Sequence, residues 1–232
     1  MTWTLVGSDI NTFFKCIVEV NRNAVLRVEP GKLYCRTMSV CGTIYGMFET
    51  AANVEGNGIT ALDIYKIVSV LDSSETTMTY KDRLLVVKRG RSRFKIPELA
   101  PNVIKEPGVI SVALPLTIQD VQTKDIHDAL KSVANYYNTE TSIPSIRVIL
   151  ANNTLTLQDQ DKNVDVEIDG KCMDGNVDIV ISFDLIQPLI STLKNISPSI
   201  DINVNDDKSP LCIIGKGEVM SIKYYIAPRV IV

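Results

Sequence analysis

The sequence is poor in the residue types that most catalytic and metal sites require. It contains one histidine, His127, and its five cysteines form no C-x-x-C pair. A single histidine argues against a histidine-based triad and against a multi-histidine zinc site. An odd number of cysteines without metal-ligand spacing is typical of reduced thiols. We therefore expect no catalytic residues, no metal and no cofactor.

The sequence also lacks a long apolar run, an export signal and an excess of positive charge. No apolar run approaches the length of about 20 residues that a transmembrane helix needs. Residues 1–4 lack the charged-then-apolar pattern of a signal peptide. These absences predict a cytoplasmic protein without a membrane partner. The net charge of −3 argues against holding nucleic acid by bulk positive charge, but it allows basic residues to be gathered on one surface.

Hydrophobic residues make up 45% of the 232 positions, and their spacing in the first half predicts a small α+β domain. A β run at residues 2–6 precedes a helix expected from about 9 to 21, with Ser8 as its N-cap. Strand-like segments follow. A second helix is predicted to begin at Thr60, with Asp63 at its third position in a weak capping-box pattern. Further strands complete this half.

The same order of elements restarts in the second half of the chain. Residues 109–118 are β-like, Thr123 is the expected N-cap of a helix over 124–137, and Ser182 is the expected N-cap of a fourth helix. A shift of 116 residues superimposes the apolar positions of the first and third helices: Ile10 falls on Ile126, Phe14 on Leu130 and Ile17 on Val133. The repeated order predicts a duplicated α+β domain.

A proline-rich segment separates the two copies. Three prolines between Pro97 and Pro107 cannot continue a central strand, so this segment is predicted to be an extended connector. The predicted organisation is an N-terminal domain over residues 1–98, an interdomain connector over 99–110 and a C-terminal domain over 111–232. Each domain is expected to have antiparallel strands and two helices.

Basic residues stand on the predicted helices, away from their apolar stripes. Lys15 and Arg22 are seven residues apart on the first helix, and Lys124 and Lys131 repeat that spacing on the third. The second and fourth helices contribute Lys66 and Lys194. Two interpretations remain open, because these residues can be either ordinary solvated helix faces or parts of one basic surface that all four helices line. Acidic residues share the same helices.

Two strand-like segments carry alternating charge of opposite sign. In the first, Arg91, Arg93 and Lys95 alternate with mainly apolar residues, and in the second Asp165, Glu167 and Asp169 do so. If both strands are sheet edges, two chains could pair head to tail through them, and such a heterologous contact can close into a ring. The alternative is that the charges protect separate edges against aggregation.

The last part of the chain predicts a β-hairpin, with apolar runs at 210–214 and 223–229 around a polar turn at 215–218. Pro210-Leu211 followed by Lys223–Arg229 is similar to the C-terminal strands of proliferating cell nuclear antigen. Residues 90–99 resemble a segment that closes the first domain of bacterial clamps, and the helix start near Lys124 resembles phage clamps. With its duplicated domain order, the whole chain resembles the two-domain DNA sliding clamps. A shorter acidic segment and the lack of an acidic tail favour a phage, viral or archaeal member.

The resemblance implies a homotrimeric ring with sheets outside and helices lining a hole around duplex DNA. Such a clamp is not an enzyme, and it tethers DNA polymerase and other replication proteins after a clamp loader places it on DNA in a prokaryotic or phage-infected cell. The implied DNA-facing residues are Lys15, Arg22, Lys66, Lys124, Lys131 and Lys194. The implied pocket for partner peptides consists of Met38, Val40, Ile44, Ile104, Val109, Pro210, Tyr225, Ala227 and Pro228. The implied subunit interface joins the basic and acidic strands.

Two rival hypotheses remain. A monomeric processivity factor or a checkpoint-type clamp could have the same duplicated fold, and native mass would distinguish it from a trimeric ring. An enzyme could use the acidic residues between Asp159 and Asp169. No Gly-rich phosphate loop or nucleophile motif accompanies those residues, which argues against the enzyme.

Overall fold

The computed structural model describes residues 2–7, 10–72, 75–100, 103–136, 144–159, 161, 163–172 and 175–229. The chain divides into two compact units. The first consists of Met1–Val109 with Glu218–Ile222, and the second consists of Ile110–Gly217 with Lys223–Val232. No helix among the described residues is long and apolar enough to span a membrane.

The first unit contains two helices and nine complete strands in its described part. These are β1 (Thr2–Gly7), α1 (Ile10–Val20), β2 (Asn23–Glu29), β3 (Lys32–Met38), β4 (Ile44–Ala51), β5 (Asn53–Gly56), β6 (Gly58–Asp63), α2 (Ile64–Val70), β7 (Thr76–Lys81), β8 (Leu84–Arg89) and β9 (Ser92–Pro97). One sheet has the order β5-β1-β7-β8-β9, and β4, β3, β2 and β6 are neighbours in that order in another. All these neighbours are antiparallel.

Apolar periodicity explains how α1 packs in this unit. Its buried residues, Ile10, Phe13, Phe14, Cys16, Ile17 and Val20, lie on one face.

Trp3 on β1 is 1% exposed and stacks on Tyr80 of β7, with ring centroids 5.7 Å apart. The indole N–H of Trp3 donates to the Thr60 hydroxyl at 3.3 Å, so this aromatic core leaves no buried indole donor unpaired.

The second unit repeats the arrangement. Its elements are β10 (Leu116–Gln122), α3 (Thr123–Ala134), β11 (Ser145–Ala151), β12 (Thr154–Asp159), β13 (Asp165–Asp169), β14 (Lys171–Cys172), β15 (Val177–Ser182), α4 (Phe183–Leu193), β16 (Ser199–Val204) and β17 (Leu211–Lys216), and β18 (Met220–Ile226) ends in it. One sheet has the order β13-β12-β11-β15, and in the other β14, β10, β16, β17 and β18 follow one another. Each unit therefore has antiparallel sheets and a pair of helices.

Two of the predicted helix starts are wrong for the same physical reason. The second helix begins at Ile64 rather than Thr60, because Thr60 belongs to β6 and its hydroxyl accepts the bond from Trp3. Asp63 is instead the N-cap and accepts from the Lys66 backbone N–H at 3.2 Å. The third helix begins at Thr123, whose buried hydroxyl donates to the Ser197 carbonyl at 2.7 Å rather than capping the helix.

The predictions for the first and fourth helices agree with the structure. Ser182 is the N-cap of α4, although its side chain makes no capping bond. The first helix matches its prediction over the described residues, and its expected cap, Ser8, lies outside them. The C-terminal hairpin is present, but β17 continues through Gly215 and Lys216. A Cβ at Gly215 would lie 2.7 Å from a methyl of Leu193, so glycine lets α4 pack closely on this strand.

Candidate functional site

The three predicted DNA-facing residues of the first unit are exposed and lie on or beside two helices that pack together. Lys15 is on α1, Arg22 follows its end, and Lys66 is on α2. Arg22 binds Asp63 through two hydrogen bonds, of 3.3 Å and 3.1 Å, and its guanidinium lies 5.0 Å from the centre of the Tyr65 ring. The Lys66 ammonium is 4.0 Å from the same Asp63 carboxylate. Asp63 therefore holds two of the three cations near each other.

The second unit has a comparable group on α3 and at the end of α4, which also pack together. Lys124 and Lys131 are exposed on α3, and Lys194 is the exposed C-cap of α4. Nδ1 of His127 lies 3.4 Å from the Lys194 ammonium and 3.1 Å from the Asp128 carboxylate. The hydrogen bond with His127 lowers the pKa of the Asp128 carboxyl. In each unit a carboxylate lies among the cations and weakens their net field.

The two strands with alternating charge are sheet edges within the described part of the chain. β9 ends the five-stranded sheet of the first unit, and β13 ends the four-stranded sheet of the second. The basic side chains of Arg91, Arg93 and Lys95 and the acidic ones of Asp165, Glu167 and Asp169 are all exposed. This confirms the premise of the predicted interface, that both strands are edges. Their pairing between chains stays a prediction.

A row of polar contacts orders the acidic edge. Gln158 of β12 donates to Asp165 at 2.5 Å and accepts from Arg147 of β11 at 2.9 Å. Arg147 also binds Asp178 of β15. The row crosses all four strands of this sheet, so Asp165 is held in place from within its own unit.

The predicted partner-pocket residues of the first unit differ in exposure. Val40 is 97% exposed, Met38 45% and Val109 66%, while Ile104 is half-buried. Ile44 is only 3% exposed, so it packs inside the unit and supports the loop rather than offering surface. The predicted pocket residues of the second unit, which are Pro210, Tyr225, Ala227 and Pro228, are all half-buried.

Backbone and hydroxyl hydrogen bonds shape these segments. The Ser39 hydroxyl accepts from the backbone N–H groups of Thr43 and Ile44 at 3.1 Å and 3.0 Å, which curls the loop between β3 and β4 and leaves Val40 at its tip. In the second unit, the Arg229 backbone N–H donates to the Val180 carbonyl at 2.7 Å. This bond fixes the end of the described chain along β15.

The connector contains the charged group that sequence reasoning missed. Glu106 accepts from Arg27 of β2 at 2.6 Å and 2.9 Å, and from Arg36 of β3 at 2.8 Å. Sequence separations of 79 and 70 residues left no local signal for these pairs. Burial acts to raise the pKa of Glu106, but the two arginines outweigh it and the pKa is lowered below its ordinary value of 4.5. The ion pairs therefore stabilise the folded unit fully at pH values above 4.5. This stabilisation is lost as the pH falls through the lowered pKa of Glu106.

A cavity of about 560 Å³ lies beside this part of the connector. Its lining residues are Val25, Ile59, Ala61, Glu98, Ile104, Lys105 and Glu106. All of them belong to the first unit. A cavity of this size, with apolar walls and a few charged groups, is within the range that binds ligands or peptide side chains.

The acidic residues between Asp159 and Asp169 do not form a metal site. Asp159 accepts from the backbone N–H groups of Val164 and Asp161 at 2.7 Å and 3.2 Å, and from the Asn163 side chain at 3.2 Å. It therefore closes a loop. Among the residues that the structure describes, no group of three or more His, Cys, Asp or Glu side chains is placed to hold a metal ion.

Comparison with solved structures identifies the fold. The chain is similar to the PCNA of A. fulgidus, solved with the C-terminal region of FEN-1, with a TM-score of 0.82, 14% identity and all of both chains covered. It is similar to a chain of the PCNA2–PCNA3 complex of Sulfolobus tokodaii, with a TM-score of 0.76, 13% identity and 99% of each chain covered. For the PCNA of Entamoeba histolytica the TM-score is 0.77 and the identity 12%, over 98% of this chain and 99% of that one.

The sequence itself matches no known family model and no curated protein. The structural likeness nevertheless extends over practically the whole chain. The protein therefore has the α+β fold of the PCNA-type sliding clamps, and the predicted fold class is confirmed.

Proposed function

We propose that this chain is a DNA sliding clamp that tethers DNA polymerase and other replication proteins. Three copies form a closed ring around duplex DNA, and a clamp loader places the ring there. The clamp catalyses no reaction, requires no cofactor and acts in the cytoplasm of a prokaryotic or phage-infected cell. The observation that carries the proposal is the likeness of fold to PCNA structures over 98–100% of the chain.

The distribution of charge supports this function. A ring stays on DNA by topology, so it needs only weak attraction to the phosphates, and phosphate contacts carry no sequence information directly. Six exposed cations on or beside the helices supply such attraction, while Asp63 and Asp128 moderate it. An acidic protein with a few basic helix faces can therefore slide along DNA instead of stopping on it.

Partner binding is proposed for exposed and half-buried residues, most of them apolar. The A. fulgidus protein was solved with a peptide region of FEN-1 bound. By analogy, we infer that polymerase and other partners of this chain insert short apolar and aromatic segments against Met38, Val40, Ile104 and Val109, and against Pro210, Tyr225, Ala227 and Pro228. Large exposed apolar side chains, such as Val40 and Val109, are typical of binding surfaces.

The proposal that the protein forms a closed ring around DNA can be tested directly. We expect the purified protein to have the native mass of three chains and, after loading, to remain on nicked circular DNA through a gel-filtration column in high salt. Linearising the DNA should release it, because a ring can slide off a free end. A protein of monomeric mass that is retained equally on both DNAs would contradict the ring and support a monomeric processivity factor.

Charge reversal tests the proposed subunit interface. We expect Arg91→Glu with Arg93→Glu to convert most of the trimer to monomer, because one acidic residue on β9 and one just before it would face the acidic row of β13. Light scattering measures the mass. Lys81→Glu with Lys88→Glu is the matched control, since it reverses two exposed lysines on the neighbouring strands. An unchanged mass in the β9 variant would rule out this interface.

A further inference from the structure

The connector is attached to the first unit by bonds to four neighbouring strands. Near its start, the Leu99 backbone N–H donates to the Ala61 carbonyl of β6 at 2.9 Å. Near its end, the Tyr45 hydroxyl of β4 donates to the Gly108 carbonyl at 3.0 Å. Between these points, Glu106 binds Arg27 of β2 and Arg36 of β3. The connector thus crosses the strands in the order β6, β2, β3, β4, which is their order in the sheet.

Glu106 makes the strongest of these attachments. Its side chain is only 13% exposed, whereas Arg27 and Arg36 are 42% and 24% exposed. Arg27 reaches both carboxylate oxygens, through Nε at 2.9 Å and Nη2 at 2.6 Å. Charge-assisted bonds with this forked geometry are both stronger and more directional than neutral ones. One carboxylate therefore joins the connector to two adjacent strands.

This attachment lies between two residues proposed for the partner site. Ile104 is two positions before Glu106 and lines the 560 Å³ cavity together with Val25, Ile59 and Ala61. Val109 is three positions after Glu106 and is 66% exposed. Val25 lies on β2 with Arg27 and pairs with Arg36 in the register of β2 and β3, so this part of the cavity wall is next to the arginines that hold Glu106. Releasing Glu106 would remove the ion pairs that hold the connector on the sheet between Ile104 and Val109.

We propose that Glu106 is a positioning residue, which clips the connector to Arg27 and Arg36 and thereby presents Ile104 and Val109 to partner peptides. The effect on peptides rests on the proposed function, whereas the clip itself does not. With the clip closed, the connector offers a preformed surface, and a partner does not have to order it on binding. When the bonds from Glu106 to Arg27 and Arg36 are broken, the same peptide must also order the connector, so it binds more weakly.

Trypsin cleavage after Lys105 tests the clip without a partner. Lys105 is exposed, but cleavage requires the surrounding segment to detach from the sheet, and the cleavage rate follows the population of the detached state. We expect Arg27→Gln with Arg36→Gln to raise this rate about tenfold or more, because bonds to charged groups are being lost. The substitutions leave the cleaved sequence unchanged, and mass spectrometry identifies the product ending at Lys105.

The control removes an ion pair of the same sheet that does not touch the connector. Lys32 and Glu49 form such a pair at 2.9 Å, so Lys32→Gln with Glu49→Gln should leave cleavage after Lys105 unchanged. Glu106→Gln gives a second route to the open state, with its rate divided by that of a synthetic peptide of residues 99–110 carrying the same substitution. Unchanged cleavage in both open variants, or an equal increase in the control, would overturn the clip.

Peptide affinity then tests the positioning role. The probe is a fluorescent synthetic peptide of the A. fulgidus FEN-1 C-terminal region, and we expect Glu106→Gln to weaken its binding about tenfold. Native mass should not change, and Arg27→Lys with Arg36→Lys, which keeps the charges, should bind more tightly than the double glutamine variant. Equal affinity of wild type and Glu106→Gln would overturn the positioning role. A wild-type protein that does not bind the probe would overturn the partner site itself, while the cleavage result would still decide the clip.

Discussion

Replacing Phe14 by alanine should lower the free energy of unfolding of the first unit by about 3–5 kcal/mol. Phe14 is completely buried on α1, and its ring meets that of Phe13 edge to face at 5.5 Å. The ring of Phe13 in turn packs edge to face on that of Phe48 of β4, with ring centroids 6.5 Å apart. Truncation would leave a cavity between a helix and a sheet that are both held by other contacts, so the site cannot collapse. Urea denaturation followed by circular dichroism measures the loss.

Two comparisons make this prediction specific. Lys15→Ala changes the next, exposed position of the same helix and should alter stability by no more than about 0.5 kcal/mol. Leu130→Ala changes the position that the sequence repeat places on Phe14, and Leu130 is 1% exposed, so a loss of about 2–5 kcal/mol is expected for the second unit. Similar small effects in all three variants would contradict the packing of both helices and the equivalence of the two halves.

Removing the six cations on or beside the helices should nearly abolish the salt-dependent attraction to DNA. With Lys15, Arg22, Lys66, Lys124, Lys131 and Lys194 all changed to alanine, we expect the slope of log affinity against log salt to fall in magnitude. Each phosphate contact contributes about 0.9 to that slope, so six contacts per chain would remove about 5. Fluorescence anisotropy with a short linear duplex measures affinity at several salt concentrations, because the ring cannot be trapped on such DNA.

The control for this variant removes the same number of charges elsewhere. Lys32, Lys81, Lys88, Lys105, Lys208 and Lys216 are exposed and lie outside the four helices. Alanine at these six positions changes the net charge equally, but it should leave most of the salt dependence intact. Equal losses in the two variants would mean that DNA responds only to the total charge of the protein. The helices would then have no special role.

Local patterns were sufficient to predict the repeat and most of its elements. The helical period placed Phe14 and Leu130 in the cores of their units, and the alternation at 91–96 and 165–169 predicted half-buried strands with charged outer rows. Both signals depend on the geometry of a single helix or strand. That both charged strands are sheet edges was a hypothesis from the sequence, and it needed the sheet order to be confirmed.

The failed predictions concern side chains whose partners are distant in sequence. Thr60 and Thr123 are good N-cap residues in isolation, but one accepts a bond from Trp3, 57 residues away, and the other donates to Ser197, 74 residues away. In the fold, each hydroxyl bonds to its distant partner, and neither of them caps a helix. Ile44 was assigned to an exposed pocket, yet at 3% exposure it belongs to the core.

The duplicated α+β organisation, the basic helix faces and the two strands of opposite charge could be predicted from local sequence patterns alone. These follow from the period of each element, which is a local property of the backbone. Which carboxylates meet cations distant in sequence depends on the tertiary structure, which pairs Asp63 with Arg22, and Glu106 with Arg27 and Arg36. Strand pairing brings these groups together across up to 79 residues, and no short-range pattern records such a contact.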